Sequence, residues 1–494
     1  MGVPSIAAAP VGCIGTGPGP SNPHSSAPSE TGACVPTAER DGDGVDSDCD
    51  GTDGTAEAAA DLANVAVTGS ARMFLGEVVA CTENPTGDFD AAAAMGSTYV
   101  RSSDYVYGPG RVIVLPPGPL GQVSLDDPRV YVAEGSGKGV RKGEADPFGT
   151  VITFADVDGD PVEELLADIP SYDTDRGSWG GVRVFRPRVG GLDTLNESEQ
   201  PVVACPDDLL GWPRAVGDLD GDGRTELAVA RTHPDTPELF VLDGAAPSLA
   251  SPLANLASPE PGSFQGGVFV RDLDGDGVDD LSYAEPLWQG RGRVRIALGP
   301  LVGTLVLGPS EILGIRNGPG PGATALAVLG VADLNHDGSS DLVVGAPERD
   351  TSGERAGRLS VFFGPFGPRI RTVDDADLIL DGEGPDANFG FAAAVGDQDG
   401  DGFLDLIVGA PSYPNSGPPR PGLVYVFRGP LAPGHHSAAT ADRVFGGAEA
   451  YDRFGRALAA CDLDGDGRSE LVVGAPGTSG APSEVGRGYV LPGG

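Results

Sequence analysis

Basic side chains are scarce: 32 Lys and Arg stand against 72 Asp and Glu, a net charge of -40 at pH 7. A chain this acidic repels nucleic-acid phosphates and anionic membrane surfaces, so neither is expected as a partner. No apolar run approaches the ~20 residues that a helix needs to cross a bilayer, and no transmembrane segment is expected. Sulfur and imidazole are thin as well. Six cysteines (Cys13, Cys34, Cys49, Cys81, Cys205 and Cys461) form no C-x-x-C pair, and the five histidines join none of them at zinc spacing. The thiols are therefore either inert or held in an oxidising compartment. Helix signals are few, which turns attention to strands.

Glycine and proline are what the chain has in excess, 78 and 45 residues. The glycines fall at fixed places before short runs of Val, Ile, Phe and Tyr, a pattern of many short strands rather than of disorder. The 494 residues can bury a large core, and a closed ring of repeats can use that length as one domain.

One short stretch recurs. Its fullest form is Asp397-Gln398-Asp399-Gly400-Asp401-Gly402-Phe403-Leu404-Asp405, followed by Leu406-Ile407-Val408-Gly409-Ala410-Pro411. Acids at loop positions 1, 3, 5 and 9 with glycine at 6 can wrap one hard cation. Calcium suits them best, because it accepts six to eight oxygens at loosely fixed geometry. An EF-hand places its last acid at position 12 between two helices, whereas here the acid is at 9 and a strand follows at once. The same spacing gives Asp218, Asp220, Asp222 and Glu226; Asp272, Asp274, Asp276 and Asp280; Asp333, Asn335, Asp337 and Asp341; and Asp462, Asp464, Asp466 and Glu470. A sixth copy, Asp156, Asp158, Asp160 and Glu164, has Pro161 in place of glycine. A degenerate seventh has Thr82, Asn84, Thr86, Gly87 and Asp90. Successive copies lie about 60 residues apart, a repeat architecture. Without metal such loops repel themselves, so five or six Ca²⁺ are expected.

Each repeat reads as an apolar segment beginning near Phe-Gly (Phe148-Gly149, Phe389-Gly390, Phe454-Gly455), the acid loop, a buried strand, a variable Pro/Gly/Ser loop and a third strand such as Gly422-Leu423-Val424-Tyr425-Val426. A weaker fourth strand, Leu378-Ile379-Leu380 or Val444-Phe445, leads into the next copy. Four antiparallel strands per repeat make a propeller blade. F-G, D-x-D-G-D-G-x-x-D-L, V-G-A-P and G-R-V-Y-V-F-x-G-P together resemble the FG-GAP repeats of the integrin α-chain propeller. The resemblance covers about residues 62 to 494. It implies an all-β, seven-bladed β-propeller whose calcium loops join first and second strands on one face.

The last repeat ends on its third strand, Gly488 to Leu491, while Leu62 to Gly69 precedes the first copy as fourth strands precede later ones. An N-terminal strand is therefore expected to complete the last blade. That closure makes Cys81 and Cys461 neighbours. A bridge between them would need α-carbons within about 7 Å, and it stays open as the alternative; the wide splay of innermost strands favours the plainer reading, small packing residues like those at this position elsewhere.

The domain division is then residues 1-60, a disordered Pro/Gly/Ser-rich segment, and 61-494, the propeller. The first segment holds one acidic loop (Glu39, Asp41, Asp43, Gly44, Ser47 and Asp50) that resembles a thrombospondin type 3 calcium repeat; a solvated acidic linker is the alternative reading. Loops of this kind require millimolar calcium, so an extracellular or cell-surface location is expected, although Met1 to Pro10 shows no signal peptide.

The function expected is a calcium-stabilised binding or adhesion module for a protein or glycan, and not an enzyme. Tyr99, Tyr105, Tyr107, Tyr172, Trp179, Trp288 and Tyr413 fall between second and third strands, in loops that would face away from the metals and suit recognition. Capping of the blades is the plainer role for several of them. No histidine is placed for catalysis. Two alternatives stay open: a calcium-dependent enzyme acting on polysaccharide, and a purely structural surface protein.

Overall fold

The second strand of each repeat is a near-continuous apolar run, and in the computed structural model it is buried on both faces. Asp341–Ala346, Asp405–Ala410 and Glu470–Ala475 have all six residues buried. The first strand alternates instead: Ala327–Ala332 buries every other side chain. A strand sandwiched between neighbouring sheets needs apolar residues on both sides, and one lining an open channel needs them on one. The structure describes the strands of residues 57–494 and part of their connections. Residues 1–56 and the longer segments 83–92, 135–147, 156–162, 195–202, 232–237, 258–265, 286–291, 317–325, 412–420 and 478–485 lie outside the described residues, as do shorter pieces between them.

Seven sheets form, each with its strands in radial order. The first strands are Met73–Cys81, Ile152–Ala155, Leu210–Gly217, Gly266–Arg271, Ala327–Ala332, Ala392–Gly396 and Ala457–Cys461. Each touches the next, and the last returns to the first, so the ring closes at seven. As expected, blade seven is completed from the N-terminal side: Val65–Thr68 pairs antiparallel with Arg487–Leu491.

Apolar cores lie between blades. Ile407, Val424 and Phe445 of blade six pack with Leu471, Val473 and Tyr489 of blade seven, and the Phe of the Phe-Gly pair, Phe454, meets Tyr489 edge-on at 5.6 Å. The glycine of V-G-A-P is obligatory here. A side chain at Gly409 would strike the carbonyl of Gly455 in the next blade, and one at Gly474 that of Gly76 across the seam.

Two features differ from expectation. Among the described residues six blades carry a fifth strand parallel to the fourth, in five of them cut from the connection between third and fourth strands of the following blade. Gly303–Val306 lies on Ala254–Ala257, Ile370–Thr372 on Leu313–Arg316, and Gly434–Ser437 on Leu378–Asp381. Leu192–Thr194 and Gly121–Ser124 do the same on blades one and seven. Blade six takes Glu57–Ala58, two residues inside the segment expected to lack structure, paired with Phe445 and Gly446.

The second correction concerns the cysteines. Cys81 and Cys461 are joined by a disulfide, with α-carbons 6.2 Å apart, inside the ~7 Å that a bridge allows. The strands do not splay at this end. At the equivalent place between blades six and seven, a side chain on Gly396 would run into Ala460 and Ser469. Small residues at this position mark close approach, and at the seam the approach is close enough for a covalent bond.

Candidate metal centre

In blades three to seven, where the acid loops are described, each joins a first to a second strand and its backbone is wound around its own carboxylates. The position-1 acid accepts from the amides of positions 4 and 6: Asp218 from Gly221 at 2.8 Å and Gly223 at 3.0 Å, Asp272 from Gly275 at 2.7 Å and Gly277 at 2.9 Å. The position-3 acid accepts from the amide of position 5, and that acid from position 7. Position 4 lies in the left-handed region, with φ of 82° at Gly221 and 76° at Gly400, and His336 takes the same conformation at 60°.

Ligand oxygens converge. Asp218, Asp220 and Glu226 bring one oxygen each within 4.8 Å of one another. So do Asp272, Asp274 and Asp276; Asp397, Asp399 and Asp405; and Asp462, Asp464 and Glu470. The remaining loop acids Asp222, Asp401 and Asp466 sit on the same exposed turns and accept or order the amides beside them. In blade five Asp333, Asn335, Asp337 and Asp341 keep the frame, with Asn335 accepting from the Asp337 amide at 3.0 Å. These all-oxygen sets fit a hard cation. In blade two Asp156, Asp158 and Asp160 lie outside the described residues; Glu164 is described and buried. In blade one Thr82 is buried, while Asn84, Thr86, Gly87 and Asp90 lie outside them.

The position-9 acid is the buried member. Asp280 accepts from Leu273 at 2.9 Å through one oxygen and from Gly299 at 2.7 Å through the other. Burial, with the neighbouring carboxylates adding to it, pushes the Asp280 carboxyl up to about 6 and Glu226 up to about 7. Asp341 is likewise pushed up to about 6, and Asp405 and Glu470 are raised for the same reason. Concentrated negative charge that resists ionisation is what a bound cation would relieve.

Two features were not read from the sequence. Arg428, just past the third strand of blade six, lies 3.2 Å from Asp399, and Arg186 at the same place in blade two lies 2.8 Å from Glu164. The Phe-Arg pairs 185–186 and 427–428 are their only trace in sequence. The aromatic set also differs: Tyr99, Tyr107, Tyr172 and Trp179 are on strands, not loops, because the hairpins of blades one and two run long and pair Tyr172 with Trp179 across a short turn. Tyr105, Trp288 and Tyr413 lie outside the described residues.

The family model described as "FG-GAP repeat" matches residues 325–362, 389–427 and 454–491, and that described as "FG-GAP-like repeat" matches 218–283. Over those residues the chain carries FG-GAP repeats. Relatives of this integrin α-like FG-GAP chain include "Integrin alpha-IIb" of Mus musculus, 33% identical over 41% of the chain and 20% of that protein. "Integrin alpha pat-2" of Caenorhabditis briggsae is 28% identical over 47% and 20%. "Phosphatidylinositol-glycan-specific phospholipase D" of Mus musculus is 37% identical over 32% and 19%. The FG-GAP chain thus matches about a fifth of the length of these relatives. No helix among its described residues is long and apolar enough to cross a membrane.

Proposed function

We propose that this propeller is an extracellular or cell-surface binding module, held rigid by Ca²⁺ in the loops of blades three to seven, with blade two as a sixth site, and directed at a protein or glycan partner. The observation that carries this reading is the repeated convergence of carboxylate oxygens in loops whose backbone is already wound as a cage. The integrin relatives support the extracellular setting and the binding role. Closed cages of this kind leave no open ligand position, so their part is to staple strands. Recognition falls to the face carrying the connections between second and third strands, where Tyr99, Tyr107, Tyr172 and Trp179 are placed. Ligand that binds only the native state raises its stability, so the melting temperature is expected to rise in millimolar calcium and fall in EDTA. Equal melting temperatures would overturn the stapling role. Incubation of the immobilised chain with glycan and surface-protein libraries, with and without chelator, tests the partner.

A second reading, an enzyme on the same scaffold, draws support from the relative named a phospholipase D. The non-catalytic reading is preferred because the best-placed acids are engaged in the cages. Turnover of a phosphatidylinositol-glycan substrate by the purified chain would reverse that preference.

A further inference from the structure

The acid loops of blades three to six do not stand alone; each is hydrogen-bonded to the next by a connector with the same design. In blade four the connector is Gly299-Pro300-Leu301. Gly299 N–H donates to Asp280, the position-9 acid of its own loop, at 2.7 Å, while Leu301 N–H donates at 2.7 Å to the carbonyl of Leu219 in the loop of blade three. Leu219 N–H in turn donates to Glu226, position 9 of that loop, at 2.8 Å.

The pattern repeats twice. Gly364 donates to Asp341 at 3.0 Å and Phe366 to the Leu273 carbonyl at 2.9 Å, and Leu273 N–H donates to Asp280. Gly429 donates to Asp405 at 2.8 Å and Leu431 to the Leu334 carbonyl at 2.7 Å, and Leu334 N–H donates to Asp341 at 2.8 Å. The chain of bonds therefore runs unbroken from Asp405 in blade six, through Asp341 and Asp280, to Glu226 in blade three. It crosses each blade boundary through three residues whose middle member is a proline with fixed φ.

Side contacts reinforce it. Asp279 N–H donates to the Asp218 carbonyl and accepts from the Asp218 amide, both at 3.0 Å, and His336 of loop five meets Phe403 of loop six edge-on at 4.7 Å.

We propose that the cation sites of blades three to six are energetically coupled, so that filling one loop raises the affinity of its neighbours. The inference rests on the calcium reading above. A cation that closes one loop fixes its position-9 carboxylate. That acid holds the first amide of the connector, whose third residue holds the adjacent loop at position 2, one bond from the neighbour's own position-9 acid. Ordering one cage thus removes part of the ordering cost of the next, which is positive coupling.

Equilibrium dialysis with radioactive calcium on the whole chain tests this. Wild type is expected to bind with a Hill slope above one. Asp337→Ala, which cripples loop five in the middle of the relay, should weaken the remaining sites by about fivefold or more, the lower end of ordinary coupling. Leu431→Pro deletes the amide that joins loop six to loop five while leaving every carboxylate in place, and should lower the slope; Leu431→Ala, which keeps that amide, should not. An Asp337→Ala protein that loses one ion and holds the rest at wild-type midpoint overturns the coupling and leaves calcium binding intact. That comparison decides alone should Leu431→Pro fail to fold by circular dichroism. Wild type that retains no calcium overturns the underlying reading and the coupling with it.

Discussion

At the scale of single residues, the buried position-9 acids give the cation-free protein an unusual pH dependence. Glu226, Asp280 and Asp341 hold their protons up to about 7, 6 and 6, against ordinary values of 4.5, 3.8 and 3.8. Between roughly pH 4 and 7 the folded state therefore binds protons that the unfolded state has released, and stability falls as pH rises through that window. In EDTA the urea midpoint is expected to be higher at pH 5.5 than at pH 7.5. In saturating calcium the order should reverse, because protons then compete with the ion. A midpoint in EDTA that climbs with pH would contradict the burial argument. Arg358 offers a second test. Largely buried, it pairs with both oxygens of Asp381 at 2.6 and 2.9 Å and with Asp374 at 2.7 Å. Arg358→Ala leaves Asp381 only the exposed His435 and Asp374 only Arg349 among the partners described, and should cost about 2 kcal/mol in urea unfolding. The loop acids were legible in sequence because their spacing is set by the cage they form. Arg428 and Arg186 were not, since nothing local to an arginine tells which acid it will meet.

At the scale of elements, the four strands of each blade were readable because burial on one face or two leaves a pattern in side chains. The fifth strands leave none. Gly434–Ser437 is Gly-His-His-Ser, with no apolar residue, and it is held by backbone pairing and by polar side-chain bonds from His435 to Asp381 and from Ser437 to Glu383. The disulfide was misjudged for a related reason: convergence of strand ends is a property of the assembled ring and not of either strand. Its loss is expected to lower stability by about 2 to 5 kcal/mol, the usual range for a bridge that closes a long loop. Comparing the urea midpoint of the wild type with that of a Cys81→Ser, Cys461→Ser double variant measures it. Coincident midpoints would show the bond to be ornamental to folding.

For the whole molecule, the seven-bladed ring was legible from the count and spacing of repeats, and its closure from a strand missing at one end and supplied at the other. Two truncations weigh the N-terminal contribution. Among the described residues, removal of 1–60 takes away the Glu57–Ala58 pairing on blade six, an edge strand two residues long, and should shift the urea midpoint little. Removal of residues 1–70 also deletes Val65–Thr68, leaves the outer edge of Arg487–Leu491 bare while its inner edge stays paired with Glu470–Ala475, and is expected to destabilise the ring markedly. Similar midpoints for the two would refute the closing role of that strand. The seam has a further consequence for how the protein is made. Cys81 must wait for Cys461, a separation of 380 residues, which at ordinary rates of translation is an interval of about 20 to 75 s. Through that time blades one to six can assemble behind the ribosome while the strand and thiol that close them stay unmatched. The nascent ring is thus an open arc with a bare edge and a reactive sulfur, and it depends on its surroundings to guard both until its final strands emerge.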